Sequence, residues 1–175
     1  MTERTQGRKN RLFVAVDLRS IDAKAFEIEY IERGVMAEIF ERFGSDWDEM
    51  DLRAYPARDR EELLGRIRWL SREKKILKWR TPRSRGRLPP ESWHKVIHSD
   101  ALLWCVRSQG AGRSRSVFTL VANDAGYAEL LKELEEASVQ TLICIWKDAP
   151  EGMMGEFEHD RVSKIEPESV NANEW

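Results

Sequence analysis

The chain has 175 residues, 41% of them hydrophobic and 34% charged, with a formal net charge of −2, enough for one substantial core and too few to favour two. No apolar run approaches the roughly 20 residues that cross a bilayer, and the polar, basic start MTERTQGRKNR has no apolar region of the secretory kind behind it. The only two cysteines, Cys105 and Cys144, lie in apolar patterned segments, so a cytoplasmic protein with buried free thiols is expected rather than a disulfide scaffold.

Charge is unevenly spread. From Arg53 to Arg115 there are 17 Lys and Arg against 6 Asp and Glu, a surplus of 11, which leaves the rest of the chain at −13. A basic middle between acidic ends predicts a surface with a polyanion-binding face.

In chain order, residues 1–10 read as a flexible basic arm. Leu12 to Val16 is an apolar strand with Asp17 at its carboxyl end. Asp22 can cap a helix to about Arg42, whose Ile28, Ile31, Val35, Ile39 and Phe43 form one stripe; Gly34 weakens it locally. After a loop containing WDEMD, Leu52 to Tyr55 is a short strand, Arg58 to Arg72 a second helix, and Ile76 to Trp79 a third strand. Arg80 to Pro90, RTPRSRGRLPP, has almost no apolar content and reads as a cationic loop. Trp93 to Ile97 is ambiguous. Ser99 is a fair N-cap for a helix from Asp100 to Arg107. Val117 onward, VFTLVANDAGY, is a buried strand ending in polar groups, followed by a helix from Tyr127 to Ala137. Thr141 to Trp146 is another apolar strand, PEGMMGEF a loop or short irregular helix, and Val162 to Ile165 an edge strand before an acidic tail, residues 167–175.

This alternation predicts one domain over residues 11–166, with a parallel central sheet and helices on both faces, because parallel neighbours need crossover connections. The phosphate-loop, dinucleotide-fingerprint, HExxH, nucleophile-elbow and CxxC patterns are absent. What remains is acidic. Asp17 and Asp124 end neighbouring candidate strands, and Asp100 begins the helix that feeds the strand of Asp124, so all three belong at the carboxyl edge, where such sheets bind ligands. Three carboxylates in contact repel. A divalent ion relieves that repulsion, and hard oxygen ligands favour Mg²⁺ or Mn²⁺, which would activate a water for attack on a phosphodiester.

Taken singly, each aspartate could merely cap the next helix or close a turn; their joint placement makes them catalytic and metal-ligating candidates. Arg80, Arg83, Arg85 and Arg87 on the cationic loop, with Lys95, are candidate contacts to an RNA backbone. Ser20 and Asn123, beside the first and third aspartates, complete the nucleic-acid-contacting set. His94 and His98 lack a third nitrogen or sulfur ligand and read as surface or RNA-contacting histidines. Trp79 and Trp93 flank the loop and can stack on bases.

Three blocks, LFVAVDLRSI with Asp17, HKVIHSDALL with Lys95 and Asp100, and LVANDAGYAELLKELEEASVQTLICI with Asp124, resemble in order and spacing the motifs of NYN domains, a branch of the PIN-like nucleases. The resemblance covers about residues 11 to 166 and implies an α/β/α sandwich with metal-dependent ribonuclease chemistry at an aspartate cluster. Where family members read Ser-Gly-Asp-x-Asp-Phe, this chain reads Ala122, Asn123, Asp124, Ala125, Gly126, Tyr127. The second aspartate of that block is thus Gly126, Ser20 stands near a usual asparagine, and the further acid expected after Asp100 falls at Val106 or Arg107. Three acids can hold one metal and would hold a second poorly. Two classes stay open: an endoribonuclease cutting single-stranded or structured RNA, alone, as a homodimer or in a larger RNA-processing complex, and a catalytically weakened relative that binds RNA or a protein partner. A receiver-like or nucleotide-binding domain is disfavoured by the missing phosphate loop.

Overall fold

The architecture follows from apolar runs with two-residue alternation that are buried on both sides. The computed structural model describes residues 9–24, 27–55, 65, 79–80, 92–109, 115–157 and 161–165. Six strands, β1 (Arg11–Asp17), β2 (Glu49–Tyr55), β3 (Trp79–Arg80), β4 (Ser116–Val121), β5 (Gln140–Trp146) and β6 (Val162–Ile165), form one all-parallel sheet in the order β3-β2-β1-β4-β5-β6. Helices α1 (Ile28–Phe43), α2 (Ser92–Gln109) and α3 (Ala128–Glu136) complete the described framework, with 3-10 turns at Ala125–Tyr127 and Met153–Glu156.

Alternation sorts the side chains onto two faces. Leu12, Val14 and Val16 of β1 join Leu52, Val117, Leu142 and the α1 stripe Ile28, Ile31, Val35 and Ile39 in one cluster. Phe13 and Ala15 join Phe118, Leu120, Ile143 and the inner faces of α2 and α3 in the other. The α/β fold with helices on both faces of a parallel sheet is therefore as expected. Cys105 and Cys144 are buried thiols outside any disulfide, one in each cluster. None of the described helices is long and apolar enough to cross a membrane.

Four boundaries differ from expectation. Helix α1 starts at Ile28 and is not capped by Asp22; Glu27 precedes it, its N–H bonding to Lys24 O at 2.9 Å and its carboxylate accepting from Lys24 N–H at 2.8 Å. Strand β2 begins at Glu49, inside the expected loop. Its acidic start is met by Lys9 at 3.2 Å and Arg11 at 3.0 Å across the pair with β1. Helix α2 begins at Ser92, so Trp93 to Ile97 is helical and Ser99 caps nothing. Arg80, expected to open the cationic loop, closes β3. Of the arm expected over residues 1–10, Lys9 and Asn10 are held in place, Lys9 by Glu49 and Asn10 N–H by Asp48 Oδ2 at 2.7 Å; residues 1–8, the helix expected at 58–72 apart from residue 65, the strand residues 76–78, residues 81–90 of the cationic loop and the tail at 167–175 lie outside the described residues.

Gly34 has a packing role beyond its low helix propensity. A Cβ there would lie 2.6 Å from Ile165 Cγ2, so the missing side chain is what lets α1 close on β6.

Candidate functional site

The sheet order sets the site's location. Strands β1 and β4 are neighbours, and from them the chain winds outward in opposite directions, to β2 and β3 on one side and to β5 and β6 on the other. Such a switch point opens a crevice at the carboxyl ends of the two strands. Asp17 is the last residue of β1, and Asp124 lies just beyond the end of β4.

Asp17 is wholly buried, and its carboxylate is fixed at both oxygens. Oδ1 accepts the backbone N–H of Arg19 at 3.1 Å, and Oδ2 accepts the Tyr127 hydroxyl at 2.8 Å. Burial, reinforced by the Asp17 charge, pushes the Tyr127 phenol well above its ordinary range, so it stays a donor. Asp124 is half-buried in extended backbone; its Oδ1 accepts Gly126 N–H at 2.9 Å and starts the 3-10 turn. Its Oδ2 meets His94 Nε2 at 2.7 Å. The His94 ring lies against Tyr127, with centroids 4.4 Å apart.

One ligand atom from each of Asp17, His94 and Asp124 can be chosen so that all lie within 4.8 Å of one another. The donor set was expected to be three aspartates. Instead Asp100 is the ninth residue of α2 and belongs to a separate network, where its Oδ2 accepts the Tyr55 hydroxyl at 2.8 Å and pairs with Arg53 at 2.9 Å. Arg53 in turn pairs with Asp51 at 2.7 Å. Burial, with the Asp100 charge behind it, raises the Tyr55 phenol out of its normal range as well. The reason for the displacement is length: extending α2 back to Ser92 brings His94, not Asp100, into its first turn at the carboxyl edge.

His94, read from sequence as a surface or RNA-contacting residue, is the ligand-type group that was missed. The signal was present in the stripe His94, Ile97, Ala101, Cys105 at helical spacing, the last three of which are buried against the sheet. A Cβ at Gly126 would sit 3.0 Å from both Asp124 Oδ1 and His94 Cε1, so any side chain at 126 would press on the carboxylate and the imidazole and require them to shift.

The other candidates separate clearly. Ser20 and Asn123 are used internally: Ser20 Oγ donates to Asp17 O at 3.1 Å and accepts Asn123 N–H at 3.0 Å, while Asn123 Oδ1 accepts Trp146 N–H at 2.8 Å. They lock the ends of β1, β4 and β5 together. Lys95 is exposed on the turn of α2 that carries His94. His98 meets Glu133 of α3 at 2.8 Å. Arg83, Arg85 and Arg87 lie outside the described residues, as do the side chains of Arg80, Trp79 and Trp93. A cation expected to relieve the aspartates is already there in part, since Arg19 Nη2 stands 3.5 Å from Asp17 Oδ2 and 3.3 Å from Asp124 Oδ2.

No protein-family profile matches the sequence, and no curated protein matches it. Among solved structures, a crystal structure of a protein of unknown function from Vibrio parahaemolyticus RIMD 2210633 is similar with a TM-score of 0.57, covering 95% of this chain and 97% of that one at 13% identity. That likeness carries the fold alone.

Proposed function

We propose that this protein is a divalent-cation-dependent endoribonuclease of PIN-like, NYN type, hydrolysing RNA phosphodiesters at the carboxyl edge of its sheet. The observation that carries the reading is the convergence of Asp17, Asp124 and His94 within 4.8 Å at the β1/β4 switch point. The donor set suits one ion, since ligand atoms around a metal with ~2.1 Å bonds lie roughly 3 to 4.2 Å apart, within reach of small side-chain rotations. Two carboxylates allow Mg²⁺ or Mn²⁺, and an imidazole nitrogen shifts the preference toward Mn²⁺. When bound, such an ion supplies an activated water and neutralises charge on the phosphodiester.

The chain's own residues do the rest. Tyr127 and the Arg19 N–H orient the Asp17 carboxylate, and Gly126 N–H aims Asp124. Lys95 offers a cation to a phosphate beside the site, with Arg80, Arg83, Arg85 and Arg87 as proposed backbone contacts further along the strand. The β1–α1 turn, Asp17 to Ser20, holds no glycine, which argues against the close backbone approach to a pyrophosphate that dinucleotide-binding sheets of this strand order use. Two buried thiols outside any disulfide fit a reducing cytoplasm.

A second reading, a catalytically weakened module that binds RNA or a protein through the same surface, is favoured by one observation: Arg19 already bridges the two aspartates. RNA cleavage decides between them. Wild-type protein with Mn²⁺ should cut single-stranded RNA, and either EDTA or Asp124→Asn should abolish cutting while circular dichroism stays unchanged. Cutting that survives both treatments would remove the nuclease assignment; salt-sensitive RNA binding without cutting would leave the second reading.

A further inference from the structure

The position of Arg19 has a local cause. The Asp17 carboxylate accepts the N–H two residues ahead at 3.1 Å, and Ser20 N–H bonds back to Asp17 O at 3.2 Å. Together they fold the chain tightly after β1 and turn the Arg19 side chain over the strand ends. Ser20 Oγ, held by Asn123 N–H at 3.0 Å, pins this turn to β4. The guanidinium then lies within ion-pair distance of Asp17 and Asp124 at once. It cannot be neutralised in a protein, so it leaves this position only by moving. Its side chain is 27% exposed while that of Asp17 is 0% exposed, which gives the long arginine stem a route toward solvent that the aspartate lacks.

We propose that Arg19 is the resident counter-cation of the aspartate pair and that a divalent ion enters only by displacing its guanidinium, so that Arg19 sets the metal affinity of the site. This rests on the metal-binding reading given above. A guanidinium and a divalent ion in one small crevice repel, and each satisfies the same two carboxylates; the apparent affinity for the ion is therefore reduced by the fraction of molecules in which Arg19 occupies the pair. Backbone contacts of Arg19 and Ser20 persist in the exchange, and only the side chain moves.

Free Mn²⁺, followed by its electron paramagnetic resonance signal during titration of wild-type protein, Arg19→Gln and Arg19→Lys, tests this. Arg19→Gln keeps a polar side chain without charge and should bind Mn²⁺ about tenfold more tightly than wild type, within the range for coupled sites. Arg19→Lys retains charge but not the bridging fork and should fall between the two. In the same series, Mn²⁺ should raise the melting temperature of Arg19→Gln more than that of wild type. Should Arg19→Gln fail to fold without metal, Arg19→Lys carries the comparison alone. Equal affinity in all three proteins would overturn the displacement and leave the metal site standing. Absence of Mn²⁺ binding in all three would overturn both.

Discussion

At Asp17, burial and charge would conflict if the carboxylate were not answered from three directions: Tyr127 Oη, the Arg19 N–H and the Arg19 guanidinium. Removing the hydroxyl with Tyr127→Phe leaves a buried acceptor short of a donor, a loss of about 1–3 kcal/mol, measurable by urea denaturation; an unchanged midpoint would mean that Tyr127 contributes packing alone. Asp100, by contrast, answers Arg53 and Tyr55. Asp100→Asn should lower stability while leaving Mn²⁺ affinity within about twofold of wild type, because its carboxylate lies outside the Asp17, His94 and Asp124 group. Loss of Mn²⁺ binding in that variant would restore it as a ligand. The placement of Asp17 and Asp124 at the ends of two strands was legible in the sequence, because each follows an apolar run that gives way to polar residues before a helix. His94 was missed although it stands in the stripe His94, Ile97, Ala101 and Cys105, because the helix was expected to start only at Asp100 and not at Ser92; Arg19 was missed because a bridging role depends on a side-chain turn that no spacing encodes.

Among the elements, α1 shows two devices. Gly34 leaves no room for a methyl group against Ile165, which is nearly fully buried. Gly34→Ala therefore gains helix propensity but overpacks the α1/β6 contact, and overpacking of this kind typically costs ~1–3 kcal/mol, more than the ~1 kcal/mol that alanine gains in a helix. A net loss of stability should appear in chemical denaturation and be relieved in the double variant with Ile165→Ala; a stabilised Gly34→Ala would show that β6 yields. At the other end, Glu27 joins the start of α1 to Lys147 after β5 at 2.6 Å. Burial opposes its ionisation, yet Lys147 and the Lys24 N–H outweigh that and hold the carboxyl below its ordinary value of 4.5. A group lowered in the fold contributes stability above its unfolded value and loses that contribution as pH falls through the folded one. Wild type should thus melt above Glu27→Gln at neutral pH, and the gap should narrow once pH drops below 4.5; a gap independent of pH would assign the effect to packing. The α1 stripe was readable from helical spacing, whereas the late start was not, because Asp22 and Glu27 both look like helix-entry residues and only the Lys24/Glu27 turn separates them.

For the whole molecule, strand alternation and crossover length sufficed to anticipate a parallel sheet with helices on both faces, and the order β3-β2-β1-β4-β5-β6 places its switch point between the strands that lead to Asp17 and Asp124. Pair geometry could not be read in advance, because where α2 begins decides which of its residues reaches the crevice. Anomalous scattering from crystals soaked in Mn²⁺ tests the central claim most directly. The account predicts one peak within bonding distance of Asp17, Asp124 and His94, with the Arg19 guanidinium moved off the carboxylates; a crevice without a peak, and Arg19 still bridging Asp17 and Asp124, would contradict it.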